Sequence, residues 1–168
     1  YTTPTLRYCA DDLNRYNQTY TGSQQTCPVG SPSESFSYDD DGNLTLDGIF
    51  TYTWDAENRL IEAVPVDPSS DPFGARKVKF VYDYMGRRVQ KAIYIYNIYG
   101  QNWPQSPDEV QQFVYDGWNV VMVLNDENDP VREFTWGLDL SGTIHGAGGI
   151  GGLLSAVEVH DPESSSDD

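Results

Sequence analysis

Apolar and polar side chains alternate with a period of two along most of this chain, in short runs closed by Gly, Asn, Asp or Pro. Lys77-Val78-Lys79-Phe80-Val81-Tyr82 and Val89-Gln90-Lys91-Ala92-Ile93-Tyr94 show the alternation most plainly, and it predicts strands with one face turned inward. No stretch of ten or more residues keeps apolar positions at helical spacing. Within the strands one phrase recurs five times: an aromatic, one residue, a second aromatic, usually Asp, then a turn and a branched aliphatic. Phe36-Ser37-Tyr38-Asp39 leads through Gly42-Asn43 to Leu44, and Tyr52-Thr53-Trp54-Asp55 through Asn58-Arg59 to Leu60. Phe80-Val81-Tyr82-Asp83 leads through Gly86 to Arg88-Val89, and Phe113-Val114-Tyr115-Asp116 to Asn119-Val120. Phe134-Thr135-Trp136-Gly137 is a degenerate last copy.

Each copy makes physical sense as half of a β-hairpin. The two aromatics share one strand face, the Asp bonds to the backbone that follows it, and Gly or Asn takes the positive φ of the turn. No hairpin buries its aromatic face alone, so the hairpins are expected to pair side by side. The second aromatics, Tyr38, Trp54, Tyr82, Tyr115 and Trp136, stand 16, 28, 33 and 21 residues apart. That unevenness argues against a propeller or a solenoid of fixed rung. Composition agrees, with 12 Tyr, 6 Phe, 4 Trp, 15 Gly and 10 Pro among 168 residues, the stock of strands and turns.

The Tyr-Asp-x-x-Gly pattern, above all Phe80 to Val89 (FVYDYMGRRV), resembles the YD repeats of the bacterial RHS family, which teneurins and the shell subunits of insecticidal toxin complexes share. Tyr38 to Leu60 is similarly typical, and Trp136 to Leu154 (WGLDLSGTIHGAGGIGGLL) is similar to the segment that leads into the RHS-associated core. The resemblance covers roughly Leu6 to Leu154. It implies an all-β fold, a curled antiparallel sheet of hairpins forming part of an RHS-type shell or barrel. The function it implies is a non-catalytic structural module of a secreted or cell-surface protein, not an enzyme. Two other readings stand beside it: a filament or matrix subunit that adds strands between chains, and a carbohydrate-binding adhesin with exposed Trp103 and Trp118 as glycan contacts. Asp71-Pro72-Phe73-Gly74 has the letters of that family's self-cleaving motif but not the residues that should follow.

Charge narrows the partners. At −16, with a pI near 4.1, the chain repels phosphate backbones, so nucleic acid is not an expected partner. Expected partners are other segments of a larger chain, identical subunits, or surface glycans. The side-chain oxygens of Asp39, Asp41, Asn125, Glu127 and Asp129 cluster as a divalent cation would require, but their turns account for them equally well. Cys9 and Cys27 are the chain's two cysteines. A disulfide between them would stabilise by about 3 kcal/mol and fits a secreted protein; the alternative is two unrelated thiols. A Ser/His reading through Ser141 and His145 lacks a nucleophile elbow, and Gly142 to Gly152 lacks the lysine of a phosphate loop. No cofactor is implied. No apolar run approaches the length of a membrane span, and an extracellular or cell-surface location is expected.

Three regions are expected: a lead-in at 1–35 holding the cysteines, a hairpin region at 36–154, and an acidic Ser/Asp-rich tail at 155–168. The ends read as cut from a longer secreted protein, and the Pro-rich loop from Pro65 to Arg76 as its most protease-accessible internal point.

Overall fold

A computed structural model describes residues 5–22, 27, 32–71 and 73–159. Residues 160–168 of the expected tail, and Pro28–Gly30 of the lead-in loop, lie outside them. The protein is all-β and antiparallel, as its alternation predicts. Its one departure among the described residues is a single 3₁₀ turn at Pro68–Ser70, within the Pro-rich loop.

Two compact units divide the chain, Tyr1–Lys77 with Tyr96–Asn102, and Val78–Ile95 with Trp103–Asp168. In the first, β1 (Leu6–Ala10), β2 (Tyr16–Thr21) and β3 (Glu34–Ser35) form a three-stranded sheet in that order. Cys9 lies buried in β1 and Thr19 and Tyr20 in β2. The Cys9–Cys27 disulfide is formed. β4 (Ser37–Tyr38), β5 (Leu44–Leu46), β6 (Phe50–Trp54) and β7 (Leu60–Pro65) pair in succession. The second unit holds β8 from Val78 (the strand is Arg76–Tyr82), β9 (Arg88–Ile95), β10 (Glu109–Asp116), β11 (Asn119–Leu124), β12 (Pro130–Trp136) and β13 (Leu153–Glu158), again in sequence order. The boundary expected at 154 therefore falls inside β13.

The turns follow one rule. At Asp39, Asp55 and Asp83 the Asp N–H donates to the carbonyl four residues on, and the residue three on, with positive φ, donates back to the Asp carbonyl. The Asp Oδ1 also accepts the N–H four residues on, at 2.8 to 3.0 Å. Gly42, Asn58 and Gly86 fill the positive-φ position, where Gly and Asn cost least. Arg59 and Arg87 close the loop by donating Nε to the second oxygen of their Asp at 2.8 Å. Asp11-Asn14-Arg15, between β1 and β2, makes every one of these bonds. Asn125-Asn128-Asp129, between β11 and β12, repeats the backbone part. The N–H four residues on is the chief cause holding the Asp11 and Asp55 carboxyls below the ordinary carboxylate value.

A second rule joins hairpin to hairpin within each unit. The polar tip of a second aromatic reaches back to the carbonyl of the first or second residue of the preceding return strand. Tyr38 donates to Tyr16 O at 2.8 Å, Trp54 to Leu44 O at 2.8 Å, Tyr115 to Arg88 O at 2.9 Å and Trp136 to Val120 O at 2.7 Å. Two turn arginines lie over the same rings, Arg15 at 4.8 Å from the Tyr38 centroid and Arg87 at 4.9 Å from that of Tyr115. A buried Tyr or Trp seeks a partner for its polar tip, and cations favour ring faces. The aromatic repeat is therefore a joint between neighbouring hairpins as well as an apolar stripe.

Candidate functional site

In the second unit three connections meet: the turn at 83–87, the two-residue turn Gly117-Trp118, and the Gly-rich segment 137–152. Arg87, held by Asp83 at 2.8 Å, donates Nη1 to Gly117 O. That fixes the first turn against the second. His145 lies over Gly117, where an added Cβ would come within 3.3 Å of its Nδ1, so the glycine leaves room for the ring. His145 Nε2 stands 3.5 Å from Asp116 Oδ2, the two side chains 46% and 67% exposed. The two form an ion pair only when the imidazole is protonated.

Beneath them sits a buried polar knot. Asp139, 6% exposed, accepts four hydrogen bonds: from the Ser141 N–H at 2.9 Å and its hydroxyl at 2.5 Å, and from the Ala147 and Gly149 N–H groups at 2.6 and 3.3 Å. The Ser141 hydroxyl foremost, then these amides, hold its carboxyl down at about 2 against the opposing effect of burial. Asn119, 2% exposed, donates Nδ2 to Ile144 O at 3.3 Å, while its Oδ1 has no hydrogen-bond partner. Gly149 lies directly against that oxygen, and a Cβ there would fall 2.0 Å from it. The Gly-rich string is thus a close approach of backbone to Asn119 and Trp136, with Asp139 at its centre.

One consequence is a pH response. A carboxyl held at about 2 when folded, against 3.8 ordinarily, lends stability that is complete above the ordinary value and is lost as pH falls toward the folded one. The difference in thermal midpoint between wild type and Asp139→Asn should therefore be largest above about pH 4 and close as pH falls toward 2. A difference unchanged across that window would show that the carboxylate charge is not what holds the segment.

The arrangement places the His145 imidazole and the Asp116 carboxylate within 3.5 Å of each other and open to solvent. It does not assemble Ser141 with His145, because the Ser141 hydroxyl is committed to Asp139 and lies 2.9 Å from Thr143 Oγ1. Among the described residues no group of three or more His, Cys, Asp or Glu side chains could hold a metal ion. Of the cation candidates, Asp39 turns both carboxylate oxygens to Asn43, and Asn125 Oδ1 takes the N–H groups of Glu127 and Asp129. Trp118 is 55% exposed at its turn and Trp103 half-buried. Asp139, Asn119 and the turn at Asp11 went unnoticed in the sequence. The last had a signal, since Asp11-x-x-Asn14-Arg15 has the spelling of Asp55-x-x-Asn58-Arg59.

Among the described residues no helix is long and apolar enough to cross a membrane. No protein-family model matches the chain. Curated relatives do match, and as a class they are nucleases that act on tRNA. They are the tRNA nuclease WapA of Bacillus subtilis (strain 168), the tRNA(Glu)-specific nuclease WapA of Bacillus subtilis subsp. natto and the tRNA3(Ser)-specific nuclease WapA of Bacillus spizizenii. Each is 37% identical over 106 residues, 62% of this chain. The chain spans about 4% of the length of each relative.

These relatives overturn the expected identity and function. The resemblance drawn to teneurins and toxin-complex shell subunits is corrected to polypeptides that bear nuclease names. The non-catalytic module, with its shell, filament and adhesin variants, gives way as well, and so does the expectation that the chain is not an enzyme. The physical reason is that the repeat encodes turn chemistry and an aromatic joint, and therefore a fold; a fold carries no information about chemistry placed elsewhere on a long polypeptide.

Proposed function

We propose that this chain is a hairpin-repeat segment of a tRNA-cleaving polypeptide of the WapA kind. The observation that carries this reading is the 37% identity over 106 residues, a stretch long enough to include several hairpins. An extracellular or cell-surface setting belongs to the same proposal, supported by the Cys9–Cys27 disulfide, which an oxidising compartment preserves. The partners of the segment are then further stretches of its own polypeptide. At a net charge of −16 the segment attracts tRNA poorly. Its basic residues concentrate at Arg76, Lys77, Lys79, Arg87, Arg88 and Lys91, six of the ten Lys and Arg in the chain.

The test is to express the whole polypeptide that contains this segment, incubate it with total tRNA, and map new RNA ends by sequencing. Cleavage confined to one or a few tRNA species is expected. Intact tRNA after incubation at high enzyme concentration would overturn the proposal.

A further inference from the structure

The hairpin turns that open on Asp11, Asp39 and Asp55 hand over to return strands whose first residues are Tyr16, Leu44 and Leu60. The turn that opens on Asp83 hands over to Arg88. A cation therefore stands where the other hairpins of this kind carry a largely apolar side chain. Such a departure from a local rule is where function is to be sought.

The Arg88 guanidinium is held in place and yet unpaired. Its Cζ lies 5.4 Å from the centroid of Phe80 and 4.8 Å from that of Phe113, rings carried by β8 and β10, the strands on either side of β9. Aromatic rings take a guanidinium by its faces, and the N–H groups along its edge are left to seek an acceptor. Among the described residues no carboxylate pairs with the Arg88 side chain and no carbonyl accepts from it. That is unusual company in a chain with 26 Asp and Glu against 10 Lys and Arg. The turn arginines Arg15, Arg59 and Arg87 each bond their own Asp, and Arg132 bonds Glu158.

Arg88, itself exposed, lines a concavity of about 340 Å³ in the second unit whose walls include Phe113, Val123, Phe134 and Trp136. Val123 is buried and the three rings are half-buried. The Trp136 indole N–H is already bonded to Val120 O, so these walls offer apolar contact and no free donor. Small-molecule sites run from about 300 to 1,000 Å³, and a concavity at the lower end suits a body of two fused rings. We infer that it binds a small aromatic carboxylate, the rings set against Phe113, Phe134 and Trp136 and the carboxylate bonded to the Arg88 guanidinium. A guanidinium and a carboxylate joined by paired hydrogen bonds fix orientation as well as energy. The net charge of −16 opposes an anion at a distance, but at about 0.15 M ionic strength screening sets in over about 8 Å. Of the charged residues lining the concavity, Arg132 and Glu158 neutralise each other and Arg88 has no partner. The site is independent of the tRNA-cleavage reading.

The test titrates the full 168-residue chain, labelled with ¹⁵N, with naphthoate at about 0.15 M ionic strength. Amide shifts should concentrate around Phe113, Val123 and Phe134, and the Arg88 Nε–H signal should move with them. Naphthamide has the same rings without the charge and should bind about tenfold more weakly, the worth of one charge-assisted hydrogen bond. Arg88→Leu gives this return strand the residue that Leu44 and Leu60 supply to theirs, so the fold should be kept, which amide shifts remote from β9 check. The variant should bind naphthoate about tenfold more weakly than wild type does and naphthamide as well as wild type does. Absence of naphthoate binding up to millimolar concentration would overturn the inference. So would shifts located away from the concavity, equal affinity of wild type for the two probes, or full naphthoate affinity in Arg88→Leu.

Discussion

Breaking the Cys9–Cys27 bridge is expected to destabilise the three-stranded sheet of the first unit by about 3 kcal/mol, the chain-entropy value for a loop of this length. The two cysteines are 18 positions apart, and the loop they close contains all of β2 and the turn at Asp11. Little else compensates. β3 has two residues, paired through Gln18↔Ser35 and Thr19↔Glu34, and the buried apolar side chains of this sheet are Cys9 and Tyr20. A sheet this small holds marginally without a covalent tie. Amide exchange at Thr19 and Tyr20, measured for wild type and for Cys9→Ala with Cys27→Ala, reads the local loss directly. Acceleration of about a hundredfold is expected, the exchange equivalent of 3 kcal/mol. Less than about fivefold would mean that the sheet is held chiefly by other contacts.

The fold was largely legible in the sequence because its turns are specified locally. Asp, then Gly or Asn three residues on, then Arg, is enough to fix hydrogen bonds that span five residues, and the alternation on either side fixes the strands. What lay beyond reading was whatever depends on residues distant in the chain. That Tyr115 donates to Arg88 O, 27 residues back, follows from lateral pairing of hairpins, and no single hairpin contains it. Asp139 was hidden for a related reason. Its partners Ala147 and Gly149 contribute only backbone N–H groups, which every residue but Pro possesses, so composition gives no sign of them. His145 was singled out with Ser141, its neighbour in sequence, whereas folding delivers Asp116, from another hairpin. The functional expectation failed at a different level: aromatic hairpins describe how the chain packs, and the nuclease names come from relatives of which this chain spans about 4%.

Trp136 unites these levels, and its replacement by Ala should cost about 2–3 kcal/mol, somewhat below the range for a wholly buried Trp because the ring is half-buried. Three contributions are lost together. The indole N–H no longer satisfies Val120 O, the ring leaves the apolar concavity it shares with Tyr115, Phe134 and Leu153, and Gly149 loses a wall against which it is closely set. Trp136→Phe separates them, because Phe keeps a ring but has no donor, and should cost about 1–2 kcal/mol, one hydrogen bond and a little area. Urea denaturation gives both values, and exchange of the Val159 N–H, bonded to Val131 O, reports whether β13 separates from β12. Equal costs for the Phe and Ala variants would show that the donor alone matters. A Phe variant as stable as wild type would show that the reach-back bond contributes nothing, and the joint between hairpins would then rest on ring packing. With the bond contributing as expected, the donors on Tyr38, Trp54, Tyr115 and Trp136 each tie a return strand to the hairpin that follows it.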